Sequence, residues 1–147
     1  MSARVLLGAG VDRAAIDDAA HARGWPLLNL YRRDEGRPRQ VVFGTGEWLL
    51  TFVVDHRIDA TYVVVEGHDE DGLADEVRAA LPTVDLDGVI AMIEGDDRVR
   101  GLCWLGVVGP DAPAEPAASL VAHAAADEDP RVRDAAAFAV EALGWPT

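Results

Sequence analysis

The 147-residue chain is predicted to be an α+β protein, with a helix and an antiparallel β-meander first and a helical array after them. Three observations predict this class. Residues 27–66 fall into short extended segments rich in Val, Leu and aromatic side chains. The connections between these segments are too short for parallel neighbours. After Gly67 the apolar period becomes that of a helix. We expect two units, 1–67 and 68–147, packed together as one compact chain.

The N-terminal unit is predicted to hold one helix among five strands. The helix covers Arg13–Arg23, with Asp12 as its N-cap and Gly24 at its end. The predicted strands are Arg4–Leu7, Leu27–Arg33, Arg39–Thr45, Trp48–Asp55 and Ala60–Glu66. The segment Trp48–Asp55 is apolar on both faces, which predicts a central strand, and we expect the helix to cover one face of the sheet.

The C-terminal unit is predicted to be helical throughout. The predicted helices lie near Glu70–Leu81, Val84–Glu94, Asp97–Val108, Glu115–Asp127 and Pro130–Leu143. The last helix has the clearest signals. Asp129 is its predicted N-cap, Pro130 stands at the first helical position and Gly144 follows its end.

Part of this helical half is repeated. A shift of 33 residues places Asp97-Arg98-Val99-Arg100 on Pro130-Arg131-Val132-Arg133, and an acidic turn precedes each copy. With its alanine stripe, the second copy resembles the second half of a HEAT repeat, and the resemblance covers about Val84–Gly144.

The resemblance implies stacked helical hairpins that present a binding surface. It also implies that Val99 and Val132 are core residues, and that Arg100 and Arg133 link neighbouring repeats. For Arg133 we expect a contact with an acid of the preceding repeat. Two repeats bury little alone, so we expect the sheet and the helix near Glu70–Leu81 to cap the array.

Charge divides the chain unevenly. Residues 1–58 hold 8 Arg against 7 acids, whereas residues 59–147 hold 5 Arg against 19, for a net charge of −13 overall. Such a chain repels nucleic acids and anionic membranes, so a partner steered by charge is expected to be basic. No apolar stretch has the length of a membrane helix, and the single cysteine indicates a cytoplasmic protein. The all-Arg, alanine-rich composition is typical of a GC-rich bacterial genome.

Two surfaces are candidates for partner binding. The first is acidic and contains Asp69, Glu70, Asp75 and Glu76. The second is a basic hairpin that contains Arg32, Arg33, Arg37 and Arg39 beside Tyr31. The sequence leaves open which of the two is the interface, because either can also be a solvated surface.

Catalytic, cofactor and metal sites are not predicted. The chain has no lysine, neither serine has a nucleophile-elbow context, and Cys103 lies on an apolar stripe. Gly8-Ala9-Gly10 has Arg13 where a dinucleotide motif has its third glycine, so a tight turn is expected. The loop around His68 gathers four carboxylates but lacks the spacing of an EF-hand, and its acids suit a helix start.

These observations favour a non-enzymatic protein-interaction module or adaptor of HEAT type. Two alternatives stay open: an immunity- or antitoxin-like inhibitor of a basic effector, and a small enzyme that uses the acidic loop around His68.

Overall fold

The computed structural model describes residues 2–31, 38–108, 115 and 117–143. The described residues form, in chain order, β1 (Ser2–Leu7), α1 (Arg13–Arg23), β2 (Leu27–Tyr31), β3 (Arg39–Gly44), β4 (Trp48–Asp55), β5 (Ala60–Gly67), α2 (Glu70–Ala80), β6 (Thr83–Val84), α3 (Leu86–Glu94), α4 (Arg98–Val108), α5 (Ala117–Ala125) and α6 (Pro130–Leu143). The predicted α+β class is confirmed. The two compact units divide after Thr83 rather than after Gly67, because α2 packs on β1 and β5.

The sheet of the N-terminal unit has the strand order β2-β3-β4-β5-β1-β6. Strands β2 to β5 form the predicted antiparallel meander, and β1 lies antiparallel to β5. Strand β4 lies between β3 and β5 and buries Leu50, Phe52 and Val53. Because adjacent residues of a strand point to opposite faces, Phe52 and Val53 show that β4 is covered on both sides. The predicted central strand is therefore confirmed.

One apolar core holds the sheet to α1 and α2. Ile16 from α1, Phe52 and Val63 from the sheet, and Val77 from α2 are each at most 1% exposed and belong to this core. Helix α1 has the predicted bounds and cap, with Oδ1 of Asp12 accepting a hydrogen bond from the Ala15 N–H at 2.9 Å. Burial of aliphatic and aromatic side chains is the main stabilising contribution to such a unit.

The turn between β4 and β5 is closed by Asp55 and Arg57. The Asp55 carboxylate accepts hydrogen bonds from the Arg57 backbone N–H at 3.0 Å, from its Nε at 3.2 Å and from its Nη2 at 3.0 Å. Burial alone would raise the pKa of Asp55, but these hydrogen bonds outweigh it and the pKa is lowered. The turn thereby sets the register along the whole β4–β5 hairpin.

The described residues of the C-terminal unit form two helical hairpins. Helix α3 packs on α4 and α5 packs on α6, while α4 also packs extensively on α6. Leu102 and Leu105 of α4 and Ala136 and Ala139 of α6 are fully buried. Small alanine side chains on α6 allow its close approach to α4.

The two valines of the repeated motif have different environments. Val132 is 5% exposed, which confirms its predicted place in the core. Val99 is 37% exposed, so the prediction that it is a core residue was wrong. Helix α6 follows a hairpin onto which it packs, whereas no hairpin precedes α3 and α4 in the described part of their unit.

Arg133 of the motif also differs from expectation. Arg133 donates from Nη1 to the carbonyls of Asp127 and Glu128 at 2.9 and 3.1 Å, in the turn before its own helix, and not to an acid of the preceding hairpin. The ion pair between hairpins joins Arg98 of α4 to Asp127 at 2.9 Å. Arg100 pairs with Asp97 at 2.6 Å, within its own repeat.

Asp127 and Asp129 organise the turn between α5 and α6. The pKa of Asp127 is lowered because its carboxylate accepts a hydrogen bond from the Asp129 N–H and another from Arg98. Asp129 caps α6 as predicted, since its Oδ1 accepts from the Arg131 N–H at 2.9 Å.

Candidate functional site

A groove in the N-terminal unit brings together side chains from three parts of the chain. Its volume is about 300 Å³. The lining residues are Glu47, Trp48, His68, Asp69, Gly72, Leu73 and Glu76, and we call this set the acidic groove. Glu47 comes from the β3–β4 turn, His68 from the β5–α2 loop and Glu76 from α2.

Strand register places Trp48 at the groove. Trp48, the first residue of β4, is paired with Gly67, the last residue of β5. A Cβ atom at position 67 would lie 3.0 Å from Cβ of Trp48, and Gly67 has a φ of +146°. Glycine therefore permits the close approach that brings the indole beside the loop containing His68.

The N-terminus of α2 forms another wall of the acidic groove. Asp69 is the N-cap of α2, and its Oδ1 accepts a hydrogen bond from the Gly72 N–H at 3.1 Å. Glu70 and Asp71 follow in the first turn, where negative charge is favourable beside the positive end of the helix dipole. Asp69 thus has a structural role in addition to its place in the lining.

Glu76 is held by a buried tryptophan. The Trp25 indole Nε1 donates to Oε1 of Glu76 at 2.9 Å. Trp25 is 6% exposed, and its ring lies 6.5 Å from that of Phe43 and 6.3 Å from that of Phe52. A rigid aromatic cluster therefore orients one carboxylate of the acidic groove.

The groove is chemically suited to a cation. Glu47, Asp69 and Glu76 supply three carboxylates, and no arginine is among the lining residues. The half-exposed Trp48 adds an aromatic surface on which a guanidinium or ammonium group can stack. Among the described residues, no group of three or more His, Cys, Asp and Glu is arranged to hold a metal ion.

The structure separates the predicted acidic candidates. Asp69 and Glu76 line the groove, whereas Glu70 and Asp75 lie on α2 outside the lining. Asp75 pairs with Arg78 at 3.0 Å. Of the basic hairpin, Arg39 is exposed on β3, and Arg32, Arg33 and Arg37 lie outside the described residues.

Sequence reasoning missed Glu47 and Trp48 as site residues. A usable signal was present in the short connection at residues 56–59, because a hairpin pairs residues equally far from its turn. Counting back along both strands places Trp48 opposite Gly67, next to His68.

Comparisons with known proteins give no relative for this chain. No protein-family model, no curated protein and no solved structure matched it. None of the described helices combines the length and apolar character needed to cross a membrane.

Proposed function

We propose that this protein is a non-enzymatic protein-interaction module that holds a basic side chain of its partner in the acidic groove. The observation that carries the proposal is the set of three carboxylates around an aromatic wall, with no arginine in the lining. The volume of about 300 Å³ is at the small end of ligand pockets and suits one arginine or lysine side chain.

The charge of the chain supports the same partner chemistry. A net charge of −13 attracts a basic protein over distances of about a Debye length, roughly 8 Å at physiological ionic strength. The exposed acids then act on the association rate, and the groove supplies the specific contact.

The C-terminal unit belongs to the proposal as a HEAT-like array of two hairpins. The packing of α4 on α6, with α3 and α5 completing the pairs, supports this interpretation. The array then acts as an adaptor surface, and the cytoplasm is the compartment that we assign to the protein.

The test uses the full chain and a short peptide that contains arginine. Binding is measured by fluorescence anisotropy, with a second peptide in which citrulline, a neutral isostere, replaces arginine. We expect the double variant Glu47→Gln and Glu76→Gln to weaken binding about tenfold, equivalent to about 1.4 kcal/mol for two partly exposed charges. Gln at position 76 still accepts the Trp25 hydrogen bond, and Asp69 is kept because it caps α2.

The matched control is the double variant Glu94→Gln and Glu128→Gln, which makes the same charge change at exposed sites of the C-terminal unit. It should leave the affinity within about twofold, because distant exposed charges are screened. Equal losses in both double variants, or equal binding of the citrulline peptide, would show that the groove has no specific role.

An inhibitor of a basic effector is the second candidate, and the same groove favours it. An inhibitor of this kind binds its effector tightly and blocks its activity, whereas an adaptor leaves that activity intact. A partner captured from the source lysate can therefore be assayed for its own activity with and without this protein.

A further inference from the structure

The most exposed apolar segment of the described chain is strand β2. Leu27 is 58% exposed, Leu28 52%, Leu30 40% and Tyr31 50%. We call these four side chains the edge patch. All five residues of β2 are exposed, so the patch covers both faces of the strand. Contiguous apolar surface of this kind marks an interaction site in a soluble protein.

Strand β2 is also the edge of the sheet. β3 lies on one side of β2, and no other described strand lies on the opposite side. The register to β3 shifts between Leu27 and Asn29, which makes Leu28 a bulge residue. The Leu30 N–H donates to Oδ1 of Asn29 at 2.8 Å, so one backbone donor is already occupied in the single chain.

The edge patch is self-complementary. Residues 24–31 carry no charged side chain, and the apolar residues of β2 are placed symmetrically about Asn29. When two copies of β2 lie antiparallel with Asn29 at the centre, Leu27 and Leu28 of one copy lie beside Leu30 and Tyr31 of the other. Each apolar side chain then meets an apolar side chain, which is what a two-fold interface requires.

The two ends of the strand differ in charge. The Tyr31 end lies beside exposed Arg39, since Tyr31 is paired with Gln40 on β3. The Leu27 end lies beside the β3–β4 turn, which carries the exposed Glu47. The antiparallel arrangement therefore brings the basic end of one copy to the acidic end of the other, twice per dimer.

We infer that the edge patch is the contact between two copies of this chain, which associate antiparallel through β2 about a two-fold axis at Asn29. The inference goes beyond the proposed function, and of the acidic groove it uses only Glu47, as the acidic end of the contact. Because the contact has one short strand from each copy, it is small, and a dissociation constant of about 10–100 µM is expected.

The first test is sedimentation velocity of the full chain from about 1 µM to 1 mM. The wild-type chain should show a concentration-dependent monomer–dimer equilibrium. Leu30→Lys should abolish it, because lysine on an edge strand opposes association. Val99→Lys makes the same change at the exposed valine of the C-terminal unit and should leave the equilibrium unchanged.

The second test fixes the geometry by cross-linking in a Cys103→Ala background. Asn29→Cys should form a disulfide-linked dimer on oxidation, because directly opposed residues have Cα atoms about 4.5–5.5 Å apart, within the range of a disulfide. Leu27→Cys is the matched control. In this register its two copies lie about 13 Å apart and should not cross-link.

Three results would overturn the inference. A wild-type chain that stays monomeric to 1 mM has no self-association, and the edge patch then faces a different molecule. A dimer that persists in Leu30→Lys uses another surface. If Leu27→Cys forms the cross-link as fast as Asn29→Cys, the two-fold axis does not lie at Asn29. The cross-linking result can be interpreted even if the Leu30→Lys variant fails to fold.

Discussion

Replacing Asp55 by Asn removes the charge that closes the β4–β5 turn while keeping the shape of the side chain. Asp55 is 4% exposed, and its carboxylate accepts three hydrogen bonds from Arg57. The side-chain oxygen of Asn can still accept a hydrogen bond from the Arg57 backbone N–H. The second carboxylate oxygen is replaced by an NH2 group, which is a donor and cannot accept a hydrogen bond from the guanidinium.

The magnitude follows from the two environments of this pair. Hydrogen bonds to a charged group contribute about 1.5–3 kcal/mol, and exposed ion pairs contribute about 0–1 kcal/mol. Asp55 is buried but the Arg57 side chain is 73% exposed, so water screens the pair from one side. We expect Asp55→Asn to lower the free energy of unfolding by about 1–2 kcal/mol at pH 7.

The effect should depend on pH in a defined direction. The pKa of Asp55 is lowered in the folded chain: burial opposes the shift, and the hydrogen bonds from Arg57 outweigh it. The carboxylate therefore stabilises the fold above its unfolded pKa, about 3.9, and this stabilisation is lost as pH falls through the folded pKa. The difference between wild type and variant should be constant from pH 7 to about 5.5 and shrink at about pH 3.

Denaturant titrations followed by circular dichroism measure this difference at each pH. Asp75→Asn is the control, because that side chain is 77% exposed in its pair with Arg78, and its effect should be within about 0.5 kcal/mol. An Asp55→Asn effect that is equally large at pH 3 and pH 7 would refute the assignment of the stabilisation to the carboxylate charge.

Two further predictions concern the C-terminal unit and use the melting temperature measured by circular dichroism. Gly101→Ala should lower the melting temperature, because the added Cβ would lie 2.9 Å from the Ile93 backbone nitrogen and force α3 and α4 apart. Helix propensity alone would raise the melting temperature, so a rise would contradict this prediction. Arg98→Ala should lower it by no more than about 2 °C, since the pair with Asp127 is partly exposed. The Arg98 effect should vanish at about 1 M salt, and a loss unchanged by salt would show that packing and not charge is responsible.

Local signals in the sequence were sufficient for most elements. The bounds of α1, β4 and α6 agree with the prediction, because a capping Asp, a terminal glycine or a turn marks each end within a few residues. Helix α5 begins at Ala117, two residues after the predicted start at Glu115, and helix ends are where local signals are weakest.

The candidate site was only half predictable. Asp69 and Glu76 belonged to the predicted acidic surface, but the sequence offered Glu70 and Asp75 on equal terms. Their separation depends on which face of α2 packs on β1 and β5. Glu47 and Trp48 join the groove through strand register, and Trp25 reaches Glu76 across 51 positions of the chain.

What the sequence determined by itself was the kind and order of the elements other than the short strand β6, which lies where the helix from Val84 was predicted to begin. It also determined the caps of α1 and α6, the central place of β4 and the acidic balance of the chain. These properties depend on neighbouring residues or on composition, so no distant contact is needed to infer them. The tertiary structure alone decided that β1 lies beside β5, that Val99 is exposed while Val132 is buried, and that Arg98 rather than Arg133 makes the ion pair between hairpins. Each of these depends on which surfaces meet, and residues far apart in the chain meet only when burial of the whole core outweighs the entropy of ordering them.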